Sequence, residues 1–139
     1  MEFSTSTVVT ATPARVWEVY SAVEGWPGWT ASVVSVELVD PGPLRVGQRV
    51  RVRQPKLPAA VWTVTELEEG RTWTWVATGP GVRTTARHTV EPEGRGARVV
   101  IEFAQRGVIG TLLGRLTAGL TDRYLAMEAE GLKARAEEQ

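Results

Sequence analysis

The most regular pattern in the chain is the strict alternation of arginine and valine over residues 49 to 53, RVRVR. Successive side chains of a β-strand point to opposite faces, so this stretch predicts a strand with Val50 and Val52 on one face and arginines on the other. Such a strand is typical of an antiparallel sheet with one wet face and one dry face. The dry face then needs a cover.

Further strands are predicted from short runs of β-branched and aromatic residues that Gly- or Pro-bearing turns separate. Together with residues 48 to 54 they give a sheet of about seven strands. The other predicted strands are residues 3 to 11, 32 to 39, 59 to 67, 71 to 78, 82 to 91 and 97 to 106.

Two short helices are predicted between the first two strands. Thr12 and Pro13 suit the N-cap and the first position of a helix that ends near residue 23. The stretch EGWPGWT then interrupts this helix and leaves Trp26 and Trp29 on a turn or a second short helix. Two large indoles on such a segment are expected to pack inward.

The cover of the sheet is predicted to be one long helix over residues 108 to 135, about 28 residues or roughly 42 Å. Its apolar stripe follows helical spacing and should face the sheet. The stripe consists of Ile109, Leu112, Leu113, Leu116, Leu120, Tyr124 and Met127. The charged residues fall largely off this stripe, namely Arg115, Asp122, Arg123, Glu128 and Glu130.

The stretch RTWTWVATGPGVRTTARHTV predicts a hairpin that contains the only histidine of the chain. Alternation places Trp73 and Trp75 on one face. With Pro-Gly at the two central turn positions, the pairing sets Trp75 opposite Ala86 and Trp73 opposite His88. A three- or five-residue loop, or a bulge, would instead turn His88 to the other face.

The orientation of Trp62 is left open by the sequence. A three-residue hairpin loop at EEG, residues 68 to 70, would turn Trp62 outward. Trp62 and Val64 are more apolar than the threonines beside them, so a bulge near Glu66 would return both to the dry face. In that case Glu66 would also approach Trp73 and His88, although a glutamate at a strand end is usually solvated.

A strand, two short helices, six strands and a long helix make an α+β fold with one curved sheet around one helix. We expect a single domain over residues 1 to 139. Three stretches carry a resemblance to known proteins: TATPARVWEVYSAVEGWPGW, WTVTELEEGRTWTW with the following ARHTVEP, and LLGRLTAGLTDRYLAMEAEGLKARAEE. Through them the chain resembles the START-like superfamily, with the helix-grip fold of the pollen allergen Bet v 1, and within it the bacterial polyketide cyclase/dehydrase and lipid transport proteins.

The resemblance implies a cavity between the concave face of the sheet and the long helix that holds an apolar or aromatic small molecule. Members of the superfamily bind lipids, sterols, quinones and polyketides, some without catalysis. The fold alone therefore does not decide the function. The expected partner is a small hydrophobic ligand, and the expected assembly is a monomer or homodimer.

Composition excludes several other classes of site. Sixteen basic residues balance sixteen acidic ones, and the arginines of RVRVR are explained as the wet face of a sheet, so no nucleic-acid partner is expected. Without cysteine and with one histidine, thiolate and histidine-rich metal sites are excluded. Phosphate-binding and dinucleotide glycine motifs are lacking, so no cofactor is expected.

No apolar run reaches the roughly 18 residues that a membrane span needs. The run GVIGTLLGRLTAGL is too short, and Arg115 interrupts it, so no stable membrane insertion is expected. The N-terminus lacks a basic start followed by an apolar run, and the lack of cysteine suits a cytoplasmic protein.

Six tryptophans are many for a chain of 139 residues, and several should face the space that the helix closes. Aromatic walls with a few polar groups describe a ligand pocket, while an indole pair on a strand also suits a packed core. The predicted ligand-binding residues are Tyr20, Trp26, Trp29, Val52, Trp62, Trp73, Trp75, His88, Ile101, Phe103, Leu116, Leu120 and Tyr124.

His88 is the candidate catalytic residue, because the ordinary pKa of histidine lies near neutrality and suits proton transfer in an aldol cyclisation or dehydration. The alternative is a neutral imidazole in the cavity wall, hydrogen-bonded to a hydroxyl or to the ligand. Tyr20 and Tyr124 are the candidate hydroxyl partners. Three functions follow as hypotheses: a ligand-binding protein, a polyketide cyclase/dehydratase-like enzyme, and an interaction module with a filled core.

Overall fold

A computed structural model describes residues 1–138. It contains one antiparallel sheet of seven strands in the order β1-β7-β6-β5-β4-β3-β2. The strands are β1 (Glu2–Val9), β2 (Ser35–Leu38), β3 (Arg49–Arg53), β4 (Ala60–Glu68), β5 (Thr72–Gly79), β6 (Val82–Glu93) and β7 (Gly96–Arg106). Every predicted strand is present, although β2 is only half as long as the run that predicted it.

The helices are α1 (Pro13–Ser21), α2 (Val108–Leu116) and α3 (Ala118–Glu137), with a 3₁₀ helix over Val23–Gly28 after α1. Thr12 caps α1 as predicted, because its hydroxyl accepts a hydrogen bond of 3.1 Å from the Arg15 N–H. The two short elements after β1 and the helical cover at the C-terminus complete the α+β helix-grip arrangement that the sequence indicated.

The β5–β6 hairpin has the predicted register. Gly79 pairs with Val82 across the turn, which sets Trp75 opposite Ala86 and Trp73 opposite His88. The two indoles and the imidazole therefore lie on the same, concave face of the sheet. Pairing continues from β6 to β7, where His88 faces Ile101.

A bulge in β4 decides the orientation of Trp62. The β4–β5 register shifts between Val64 and Glu66, so Val64 pairs with Trp75 while Glu66 pairs with Thr74. Trp62 and Val64 consequently point to the concave face and are buried, as hydropathy indicated. Glu66 lies exposed on the opposite face, so the possibility that it approaches His88 is wrong.

The C-terminal cover is not one continuous helix of 28 residues, and this corrects the prediction. The break is at Thr117, whose φ of −109° and ψ of 12° are not helical. Both the Thr117 N–H and the Thr117 hydroxyl donate to the Leu113 carbonyl, at 2.9 and 2.7 Å. A threonine hydroxyl that bonds to the carbonyl four residues earlier is known to bend helices.

Helix α2 packs through its small residues rather than through its leucines. Gly110 and Gly114 are its buried residues, and the N–H groups of Ile109 and Gly110 donate to the Gly81 carbonyl at 3.0 Å. Leu116, predicted to line the ligand site, is 73% exposed, which corrects that prediction. The buried side of α2 is the one that carries Gly110 and Gly114, where an added Cβ would lie 3.2 Å from Val82 and 3.0 Å from Met1. Leu116, two positions after Gly114, lies on the opposite side of the helix.

Helix α3 packs mainly against β1 and α1 and touches β7 only weakly. Its buried residues are Tyr124, Leu125, Glu128, Ala129, Leu132 and Ala136. Gly131 brings α3 within contact of the Trp29 backbone, because a Cβ at this position would lie 2.1 Å from the Trp29 carbonyl oxygen. This arrangement fixes one half of α3 and leaves space between its other half and the central strands.

Candidate functional site

A cavity of about 630 Å³ lies between the concave face of the sheet and the helices α2 and α3. Strands β3 to β7 form one wall, and the facing wall comes from α3 and the end of α2. Residues 57 to 59 and the β5–β6 turn lie at its more exposed end. The volume lies within the range of small-molecule sites, roughly 300–1,000 Å³.

Nine of the predicted ligand-binding residues line this cavity, and they come from the 3₁₀ helix, five strands and α3. They are Trp26, Val52, Trp62, Trp75, His88, Ile101, Phe103, Leu120 and Tyr124. Tyr20, Trp29, Trp73 and Leu116 do not line it. Tyr20 and Trp73 lie behind the wall as fully buried residues, Trp29 is partly buried, and Leu116 is exposed.

Trp73 supports the imidazole of His88 from behind. The two rings are stacked at 4.1 Å between centroids with 14° between their planes. Tyr20 meets Trp73 edge-on at 4.9 Å, and Trp17 does the same at 5.7 Å. Trp73 is therefore a core residue that supports the cavity wall. For this indole the structure has the packed-core alternative rather than the pocket-lining one.

His88 is a neutral group in this environment. Burial is the cause that lowers its pKa, to about 3, and the backbone hydrogen bond to Trp73 only partly opposes this shift. His88 Nδ1 lies 3.3 Å from the Trp73 carbonyl oxygen. Since a carbonyl oxygen only accepts, Nδ1 carries the proton of the neutral ring, and Nε2 remains an acceptor.

Glu128 is the principal polar residue that sequence reasoning missed. It lies on α3, lines the cavity and is only 8% exposed. The Tyr20 hydroxyl donates a hydrogen bond to Glu128 Oε2. Burial raises the pKa of Glu128 to about 7, against the lowering effect of the Tyr20 hydrogen bond. Burial, followed by the charge of Glu128, raises the pKa of Tyr20 well above its ordinary value.

The inward orientation of Glu128 follows from the phase of α3. Tyr124, Glu128 and Leu132 follow one another at intervals of four, and all three are buried. Glu128, which the sequence placed largely off the apolar stripe, is therefore buried together with it. A stripe drawn from Tyr124 to Leu132, instead of from α2 onward, would have included it.

The indoles of the site are fixed by several further contacts. Trp26 Nε1 donates to the Tyr20 carbonyl at 2.9 Å, and the Trp26 ring is stacked on the Tyr20 ring at 5.5 Å. Trp75 packs against Trp62 at 5.8 Å and meets His88 edge-on at 5.3 Å. The wall is thus a continuous aromatic surface with one imidazole in it.

No helix within residues 1–138 is long and apolar enough to cross a membrane. In the same part of the chain, no three side chains of histidine, aspartate or glutamate come together in a way that would hold a metal ion.

Comparisons with known proteins agree with the geometry. The sequence profile of the family described as "Polyketide cyclase / dehydrase and lipid transport" matches residues 1–137. A comparison with curated protein sequences gives no significant match. Among solved structures, TTHA0849 from Thermus thermophilus is similar, with 22% identity over 98% of this chain and 97% of that one and a TM-score of 0.78.

Two further solved structures are similar to this chain. The Zhui aromatase/cyclase from a Streptomyces species shares 18% identity over 99% of this chain and 93% of that one, with a TM-score of 0.75. The major latex-like protein 151 from Panax ginseng shares 12% identity over 99% and 98%, with a TM-score of 0.76. At these identities the structures show a common fold.

Proposed function

The chain belongs to the polyketide cyclase/dehydrase and lipid transport family, and we propose that it binds a hydrophobic, aromatic or polycyclic small molecule between the sheet and α3. The observation that carries this proposal is the cavity of about 630 Å³ with Trp26, Trp62 and Trp75 in its wall. Each 100 Å² of apolar ligand surface that leaves water contributes about 2.5 kcal/mol before the entropic cost of association.

The cavity also separates this proposal from the interaction module with a filled core. A packed interior leaves few voids larger than a water molecule. Here an apolar space of ligand size remains behind the helices, although α2 presents exposed apolar side chains as well. A buried small molecule explains the cavity, whereas a partner docked outside does not.

Replacement of Ala86 tests the proposal, because this small residue lines the cavity on β6 between Trp75 and Phe103. We expect pyrene, a four-ring aromatic hydrocarbon, to accept excitation energy from the tryptophans of the native protein. Ala86→Phe should fill the space and lower pyrene affinity at least about ten-fold, or 1.4 kcal/mol.

Arg87→Phe is the matched control. Arg87 follows Ala86 in the chain, so its side chain points to the opposite face of the sheet, where it is exposed. The added ring is the same, but it does not enter the cavity. Pyrene binding that is lost in neither variant, or in both alike, would contradict the proposal.

The second candidate function is that of a polyketide cyclase/dehydratase-like enzyme. In an aldol condensation a base removes a proton from a methylene group between two carbonyls, and the carbanion attacks a ketone carbon. The new alkoxide takes up a proton before water leaves. The observation that favours this candidate is Glu128, whose pKa of about 7 suits a group that both accepts and returns a proton near neutral pH.

His88 is less suited to this proton transfer than the sequence indicated, because an imidazole with a pKa of about 3 is a weak base at neutral pH. In the enzymatic reading Glu128 therefore replaces His88 as the proton carrier. Glu128→Gln should lower kcat on a poly-β-keto substrate by about 10²- to 10⁴-fold.

Substrate affinity of the same variant, measured under conditions without turnover, should change far less than kcat. His88→Ala is the comparison variant and should reduce kcat less than Glu128→Gln. Unchanged turnover in Glu128→Gln would exclude Glu128 as the proton carrier.

A further inference from the structure

We infer that the ligand carries a hydrogen-bond donor, a hydroxyl or an amino group, on an otherwise apolar ring system, and that Glu128 and His88 accept this donor inside the cavity. The inference rests on the proposed binding function and deepens it. It also implies that lipids with a carboxylate or phosphate group at this position are excluded.

The free oxygen of Glu128 is the first acceptor. Oε2 receives the Tyr20 hydroxyl, while Oε1 has no hydrogen bond within residues 1–138. Three side-chain polar atoms of these residues are both sealed from the surface and unpartnered: Gln48 Oε1, Trp73 Nε1 and Gln105 Oε1. Glu128 Oε1 is not one of them, so it is accessible, and the residue that carries it lines the cavity.

The second acceptor is His88 Nε2. The Trp73 carbonyl holds the proton on Nδ1, so the lone pair is on Nε2. Nε2 has no hydrogen bond within the described residues and is not sealed, although His88 is only 2% exposed. A ligand donor that reaches Nε2 would supply the hydrogen bond that this acceptor does not have within the protein.

Tyr20 places both acceptors at the same end of the cavity. Its hydroxyl contacts Glu128, and its ring meets the His88 ring edge-on at 5.4 Å between centroids. Trp26, stacked on Tyr20, lines the cavity at this end. A donor at one end of a ring system would therefore reach the polar groups while the rings contact indoles.

The charges of the cavity exclude an anionic group. Among the described residues that line the cavity, Glu128 is the only acidic one, and there is neither a lysine nor an arginine. The two tyrosine hydroxyls near this end already donate within the protein: Tyr124, in the wall, donates to the Pro55 carbonyl, and Tyr20, behind the wall, donates to Glu128. A carboxylate here would meet another carboxyl group without a cation to compensate it.

Four pyrene derivatives test the inference by fluorescence energy transfer from tryptophan. Hydroxypyrene and pyrenemethylamine carry donors, methoxypyrene lacks one at matched size, and pyrenecarboxylate is an anion. We expect at least one donor derivative to bind about ten-fold more tightly than methoxypyrene, and pyrenecarboxylate to bind most weakly.

Variants assign this preference to the acceptors. The double variant Tyr20→Phe/Glu128→Leu removes the carboxyl group without leaving a buried tyrosine hydroxyl unpaired, and it should bring the donor derivative to within about two-fold of methoxypyrene. His88→Phe should reduce the preference in part. Glu128→Gln distinguishes a hydroxyl donor from an amino donor, because this variant should still bind hydroxypyrene but should lose its affinity for pyrenemethylamine. Circular dichroism confirms that each variant is folded.

The outcomes separate the inference from the proposed function. Binding of unsubstituted pyrene that Ala86→Phe blocks supports the proposed function by itself. If pyrene binds in this way but methoxypyrene or pyrenecarboxylate equals the donor derivatives, the inference is overturned and the proposed function stands. If neither pyrene nor any derivative binds, both are overturned.

Discussion

His88 and Glu128 are two buried titratable residues whose pKa values are shifted in opposite directions. Burial lowers the pKa of His88 to about 3 and raises the pKa of Glu128 to about 7. In both cases burial disfavours the charged form. Both groups are therefore mostly uncharged between about pH 3 and pH 7, which suits a site whose remaining wall is apolar.

These shifts predict how stability depends on pH. The raised pKa of Glu128 contributes stability that is present below pH 4.5 and is lost as the pH rises through about 7. The lowered pKa of His88 contributes stability that is present above pH 6.5 and is lost as the pH falls toward 3. Between pH 4.5 and 6.5 the two effects oppose each other, each by about 1.4 kcal/mol per pH unit.

Glu128→Gln and His88→Gln separate the two effects. In Glu128→Gln the free energy of unfolding, relative to the native protein, should rise with pH across this window by about 3 kcal/mol. In His88→Gln it should fall by a similar amount. Urea unfolding followed by tryptophan fluorescence at several pH values measures both, and the difference from the native protein removes the titration of exposed groups.

Parallel pH profiles of Glu128→Gln and the native protein would contradict a buried carboxyl group at position 128. Asp122, Arg123 and Glu130, the charged residues of α3 near position 128, have exposed side chains. Tyr20 and His88 are the titratable residues that contact this site from the other elements. The comparison therefore reports on the cavity.

At the scale of elements, the direction of α3 decides which residues meet in the site. Its C-terminal half is held against β1, where the Lys133 ammonium donates to the Val8 carbonyl at 2.9 Å. Glu137 Oε2 accepts hydrogen bonds from the Thr10 N–H and hydroxyl. Gly131 allows the same half to approach Trp29 closely. These contacts fix the rotation of the helix and hence the inward position of Glu128.

Gly131→Ala tests this close approach. The added methyl group would lie 2.1 Å from the Trp29 carbonyl oxygen, so α3 must move, and we expect a loss of about 2 to 3 kcal/mol in the free energy of unfolding. Chemical denaturation measures this loss.

Gly119→Ala is the control for Gly131→Ala, because it is also a glycine of α3 and a Cβ there meets nothing within 4 Å. Helix propensity should then leave stability unchanged or increase it by up to about 1 kcal/mol. Equal effects of the two substitutions would mean that α3 does not approach Trp29 as described.

At the scale of the whole molecule, the cavity exists because the helices are anchored at its two ends rather than along its length. Helix α3 is held on β1 and α1, and α2 is held by the Gly81 carbonyl at the β5–β6 turn. Between these anchors the cavity separates the concave face of the central strands from the helices. Gly107, directly before α2, belongs to the anchor at the β5–β6 turn. Its φ is 95°, and a Cβ at this position would collide with the Gly81 carbonyl.

The sequence by itself determined the strands, the short helices and the pairing of Trp73 with His88. These features depend on local periodicity and turn chemistry, which neighbouring residues carry. The bulge that turns Trp62 inward was one of two alternatives, and hydropathy favoured the one that the structure has.

Tertiary structure alone decided which buried residues face a void and which face a neighbour. Periodicity placed Trp73 and Trp75 on one face, but only the packing of α1 makes the first a core residue and leaves the second in the cavity wall. Likewise, Leu116 faces solvent because α2 packs through the side that carries Gly110 and Gly114, and Glu128 faces the cavity because α3 packs through the side that carries Tyr124 and Leu132. A pattern along one element fixes its faces, whereas the space opposite each face depends on how distant elements are anchored.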